Sequence, residues 1–140
     1  MGEQTLLQQT QRRISALVRP DRTLLVLTRT HEDFYSDQVA GIPPSGILIQ
    51  PCNRDTAPAI IYSLLHLRER DSKGIVAFFP SDHHFSDDDS FARHLESAYA
   101  AAACLPEQVI LLGIPPDSPE GEYDGSSLGC LALRMVPFSL

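Results

Sequence analysis

"FFPSDHHFSDDDSF", residues 78–91, holds the chain's densest set of candidate ligands. An apolar run stops at Pro80, and Asp82, His83, His84, Asp87, Asp88 and Asp89 follow. Carboxylates and imidazoles are donor types that divalent cations take. The second half of the stretch also describes a helix start. Ser86 is a good N-cap, and Asp87, Asp88 and Asp89 then fill the first turn, where carboxylates favour the positive helix end. Ser86 and Asp89 resemble a capping box with Asp in place of Glu. These three aspartates are read as helix-start residues and not as ligands. Asp82 differs, because it lies just past an apolar run, where a strand would end. One carboxylate there is enough for a hard cation such as Mg²⁺ if a nucleotide's phosphates complete the shell. A turn-capping aspartate is the equal alternative. His83 and His84 are adjacent, so on a strand they would face opposite ways. Both are read as loop residues.

"QPCNRDTAPA", residues 50–59, is the second candidate. Asp55 or Thr56 can cap a following helix. The same helix start offers free amides to an anion or a base edge. Arg54 can add a charged hydrogen bond to phosphate.

The elements that must position these residues alternate in period. Residues 3–18 have helical spacing, with Leu6, Leu7, Ile14, Leu17 and Val18 on one face and "QRR" opposite. Pro20 ends that helix, and 23–28 reads as a buried strand. "HEDFYSDQVA" suits a short helix, and 45–51 a second strand. From Thr56 a helix carries Ala57, Ile60, Ile61, Leu64 and Leu65; Pro58 is tolerated in its first turn. "KGIVAFFP" (73–80) reads as a third strand, 87–104 as a helix with Phe91, Leu95, Ala98 and Ala102 on one stripe, and 107–113 as a fourth strand. "CLALRMVPF" is compatible with one more. This order predicts an α/β fold with a mostly parallel sheet, whose continuously apolar strands are covered on both faces. Ligands of such sheets bind beyond the carboxyl ends of the strands, where "PSDHH", "PCNRD" and "GIPPDSPEGEY" all fall.

The 140 residues suit one domain. The net charge of −7 argues against a nucleic-acid surface, which needs a basic face. It does not exclude nucleotides held by backbone amides and a metal ion. Three cysteines, at 52, 104 and 130, are too scattered for a structural zinc site and fit a reducing, cytoplasmic setting. The polar N-terminus does not resemble a signal peptide, and no apolar run is long enough to span a bilayer.

Together, "IQPCNRDTAPAI" and "FFPSDHHF" resemble the sugar-nucleotide pyrophosphorylases, and the mannose-1-phosphate guanylyltransferases most closely. That group has a Gln-Pro-x-x-Arg-Asn-Thr-Ala-Pro-Ala segment, then a strand ending in Pro-Ser-Asp-His. "LLQQTQRRI", "TRTHEDF" and "LLGIPPDSPEGEY" are similar to further family segments in the same order, so the likeness runs from residue 3 to about 123. It implies a Rossmann-like three-layer nucleotide-diphospho-sugar transferase fold. It also implies attack of a sugar 1-phosphate on the α-phosphate of GTP, forming GDP-mannose and pyrophosphate. By resemblance Asp82 holds Mg²⁺ and is the catalytic residue. Gln50, Pro51, Arg54, Thr56, Ala57 and Ser81 line the nucleotide, and Glu120 and Tyr123 approach the sugar.

Departures from the family pattern are clear. The Gly-Gly-x-Gly-x-Arg loop with its Pro-Lys is not in this sequence, Asp55 stands for the usual Asn, and "DGSSLG" replaces the continuation after Tyr123. The later Glu-Lys-Pro element is also missing. The expectation is one partial catalytic domain over residues 1–140, truncated at both ends, with little or no turnover on its own. A non-catalytic nucleotide- or sugar-phosphate-binding remnant, or a regulatory partner of a full-length enzyme, is the alternative. In either case a homodimer would cover an open sheet edge. Asp82-His83-His84 also spells a phosphoesterase signature, but the Asp-x-Asp segment that signature requires upstream is absent.

Overall fold

The computed structural model describes residues 4–113, together with the backbone of Leu133 and Arg134. Contacts divide the chain into two compact units, Met1–Ser86 and Asp87–Leu140. The first unit opens with helix α1 (Leu6–Ser15). A capping box starts it: the Thr5 hydroxyl accepts from the Gln8 amide at 3.3 Å, and Gln8 Oε1 accepts from the Thr5 amide at 3.1 Å. The same hydroxyl donates to Gln38 Oε1 at 2.6 Å, which ties α1 to helix α2 (Glu32–Val39).

Strands β1 (Leu25–Thr28) and β2 (Ile47–Gln50) pair in parallel, from Leu25 opposite Ile47 to Thr28 opposite Gln50. Leu25 and Leu48 are buried, and Ile14 of α1 and Tyr35 of α2 join them in the core. Helix α3 (Thr56–Arg68) leaves from the end of β2. Its far end is fixed near the strands' starts: Arg70 Nη1 donates to the Ser45 carbonyl at 2.8 Å, and Arg22 reaches Asp71 at 3.4 Å. The chain therefore returns across the sheet, as a connection beyond a parallel strand must.

In the second unit, helix α4 (Asp88–Cys104) buries Leu95 at 3% exposure. Asp87 caps it, its carboxylate accepting from the Ser90 amide at 2.8 Å. Strands β3 (Gln108–Val109) and β4 (Leu133–Arg134) pair antiparallel. Among the described residues no helix is long and apolar enough to cross a membrane.

The predicted α/β class and its parallel pairing stand, with several corrections. Asp87, not Ser86, caps α4, so only Asp88 and Asp89 occupy its first turn. Residues 74–80 form no strand ladder among the described residues, and Ile75, Val76 and Phe78 are exposed. Strand composition is not enough, because a strand exists only where a neighbour accepts its row of amides and carbonyls. The expected fourth strand shortens to β3 and pairs antiparallel; its partner β4 lies in the segment read as one further strand. In α3, Ile61 and Leu65 face outward while Ser63 is 1% exposed. That helix is apolar nearly all round, so spacing alone did not define its inner face. Arg13 was placed on α1's polar side but is only 6% exposed.

The strand faces give a direct test. Leu48→Ala removes a core side chain and is expected to cost about 2–5 kcal/mol in urea unfolding. Its exposed neighbour gives the contrast, Ile49→Ala costing under about 1 kcal/mol.

Candidate functional site

The register of β1 and β2 places Thr28 beside Gln50, so both strands end at one edge. Beyond Gln50 the chain turns through 51–55 into α3. Gln50 is buried at 9% exposure, whereas Pro51, Arg54, Thr56 and Ala57 are exposed. Asn53 Oδ1 accepts from the Asp55 amide at 3.0 Å, closing the turn through its side chain. Cys52 Sγ accepts from Arg54 Nε at 3.4 Å. That hydrogen bond, with the attraction of the same sulfur second, pushes the Arg54 pKa above its ordinary value. Arg54, like any exposed arginine, is a cation, and it stands in the loop that feeds a helix start.

Asp55 is the N-cap of α3, but its side chain makes no capping hydrogen bond. Its backbone lies at φ 65° and ψ −173°, a region that L-residues adopt at a cost. The sequence reading offered Asp55 or Thr56 as a cap; Asp55 takes the N-cap position, but without a side-chain hydrogen bond. The strained backbone sets the direction of α3, and the first-turn amides are left without that cap. An anion or an acceptor group is what such amides bind.

Ser81 and Asp82 form an exposed turn in the same unit, and His83 and His84 follow, also exposed. Asp82 makes no hydrogen bond or ion pair among the described residues. Its carboxylate is therefore available to a cation. No group of three His, Cys, Asp or Glu side chains converges among the described residues. That donor set does not make an all-protein metal cage, but it fits Mg²⁺. This ion keeps waters and takes one or two carboxylates plus substrate phosphates. No hydrogen bond or ion pair joins Asp82 to the 50–57 loop among the described residues. Glu120 and Tyr123 lie outside the described residues.

One edge residue escaped the sequence reading. Arg29 directly follows Thr28, the register partner of Gln50, so an exposed guanidinium leaves the sheet one strand over from Pro51. Its signal was its place directly after a buried strand. A cavity of about 350 Å³ opens elsewhere in the unit, lined by Ile14, Val18, Pro20, Leu25, Ile42 and Pro43. It lies at the amino ends of the strands, is apolar, and includes none of the candidate residues. The polar edge at the carboxyl ends is an open surface.

A parallel β1–β2 pair whose carboxyl edge leads through the 51–55 turn into a helix start without a side-chain cap is the arrangement at which α/β folds bind ligands. Known proteins give that arrangement a family. The profile of the nucleotidyl transferase family matches residues 1–123, and this chain belongs to that family. That membership bears out the resemblance to the sugar-nucleotide pyrophosphorylases. The xanthan biosynthesis protein XanB of Xanthomonas campestris pv. campestris (strain B100) is 33% identical over 96% of this chain and 29% of its own length. The alginate biosynthesis protein AlgA of Pseudomonas putida is 31% identical over 87% of this chain and 25% of its own. A mannose-1-phosphate guanylyltransferase of Salmonella montevideo is 28% identical over 87% of this chain and 25% of its own. The chain thus spans between a quarter and a third of the length of these relatives. No solved structure matches it significantly.

The strain at Asp55 can be measured. Asp55→Gly is expected to raise stability by about 1 kcal/mol, since glycine adopts positive φ without steric cost. Asp55→Val is expected to lower it by about 1 kcal/mol or more, because a β-branched residue is disfavoured there. Urea midpoints of the three proteins check both signs.

Proposed function

We propose that this chain forms the nucleotide-recognition part of a sugar-nucleotide pyrophosphorylase of the mannose-1-phosphate guanylyltransferase type. Its substrates are GTP and a sugar 1-phosphate. An oxygen of the sugar phosphate attacks the α-phosphorus of the nucleotide, the bond to the β-phosphate oxygen breaks, and pyrophosphate leaves. Such a reaction needs positioning and charge neutralisation more than a protein nucleophile. A divalent ion, Mg²⁺ in this reading, neutralises phosphate charge when bound.

The observation that carries the proposal is the junction of β2 and α3. Gln50 is enclosed at the strand end, and the uncapped amides of α3 and the exposed Arg54 follow it. Gln50, Pro51, Thr56 and Ala57 line the nucleotide there, with Arg54 toward phosphate. Asp82, with Ser81 beside it, supplies the carboxylate that holds the ion. The match to nucleotidyl transferases over residues 1–123 supports the reading, as does the printed name of the Salmonella relative. Glu120 and Tyr123 are assigned to the sugar by family likeness alone. Self-association along the open side of β1 accompanies this reading, since among the described residues β1 pairs only with β2.

The test is metal-dependent nucleotide binding. Titration of the chain with GTP in the presence of Mn²⁺ is expected to show saturable binding that falls at least tenfold without metal. Asp82→Asn is expected to remove most of that metal dependence, because a neutral amide holds a hard cation far less well. Equal affinity for both proteins, with and without metal, would overturn the assignment.

A further inference from the structure

We infer that Arg13 is a positioning residue for the Asp82 turn, acting through the ring of Phe85. This rests on the reading of Asp82 given above. Arg13 lies in the last turn of α1 and is only 6% exposed, among the most enclosed side chains of its unit. A guanidinium is costly to enclose unless its surroundings repay the lost hydration. Here its Cζ stands 4.8 Å from the centre of the Phe85 ring, within the range of a cation–π contact. The planar, weakly hydrated guanidinium is the cation best suited to lie on a ring.

Phe85 is part of the segment that carries Asp82. They are three positions apart in sequence, so their Cα atoms stay within about 10 Å of one another. Residues 81–85 belong to no helix or strand. Side-chain packing therefore has to fix where this segment lies, and the Arg13–Phe85 contact does so from a helix. α1 is itself held by the Thr5 capping box and the Thr5–Gln38 bond. A chain of contacts thus runs from α2 through α1 to the turn that presents the carboxylate. Arg13 touches neither nucleotide nor metal in this account. It limits where Asp82 stands.

The experiment compares backbone order and ligand binding in four proteins: the unaltered chain, Arg13→Met, Phe85→Leu and Asp82→Asn. Arg13→Met keeps the apolar stem without the cation, and Phe85→Leu keeps apolar bulk without the aromatic face while leaving α1 untouched. The ¹⁵N order parameters of Ser81–His84 are expected near about 0.8 in the unaltered chain and below about 0.6 in both contact variants. Those of Leu25–Thr28 stay unchanged, which separates local loosening from unfolding. The affinity for GTP with Mn²⁺ falls at least threefold in both contact variants. Unchanged order at Ser81–His84 in Phe85→Leu, which does not alter the helix, would overturn the inference. Failure of Asp82→Asn to change binding would instead remove the metal role of Asp82. The order comparison would still decide whether Arg13 positions the turn.

Discussion

The parallel pairing of β1 with β2 is the constraint on which the first unit depends. Its register sets Thr28 against Gln50, so two strand ends and the loops that follow them share one edge. Parallel strands cannot be joined by a tight turn, so the chain must cross back over the sheet each time. α2 makes the crossing between β1 and β2, and α3 runs back from the end of β2. The Arg70–Ser45 and Arg22–Asp71 contacts hold the segment after α3 near the start of the strands. A candidate site at the carboxyl edge follows from this topology. The opposite edge keeps a cavity of about 350 Å³ that is apolar and carries no candidate chemistry.

Electrostatics decides what this edge can bind. The chain carries 18 acidic and 11 basic side chains, so its overall field repels a polyanion. In the proposed reading, recognition of a nucleotide rests on local features. The N-cap side chain of α3 makes no capping hydrogen bond, and the exposed Arg54, bonded to Cys52 Sγ, stands just before it. Arg29 adds a second exposed cation at the end of β1. In the proposed reading the carboxylate of Asp82 meets phosphate through a cation.

Much of this arrangement was legible in the sequence, and the failures have physical causes. α1 announced itself by spacing, though its Thr5 capping box was not read, and α2 was read as a short helix. The motif around Gln50–Ala57 was legible because turn residues, a late Pro and a helical run stood in order. The segment 74–80 was misread because composition records affinity for a ladder, not the presence of a partner. α3 was misread because an all-round apolar helix has no unique inner face. Arg13 was misread because an arginine in an amphipathic helix is ordinarily solvent-facing. Yet Thr10, Arg13, Ile14 and Leu17 share the inward spacing, and three of the four are buried. The strain at Asp55 had no signal in composition, since aspartate is also an ordinary cap.

The central proposal is that the nucleotide binds the 50–57 loop beyond β2, with its cation held by the Asp82 turn. Paramagnetic broadening by Mn²⁺ with GTP in ¹⁵N-labelled protein tests this most directly. Broadening is expected at residues 28–31, 50–57 and 81–83, with residues 41–46 at the opposite edge left sharp. Broadening centred on residues 41–46, or on Asp87–Asp89 at the start of α4, would contradict the account.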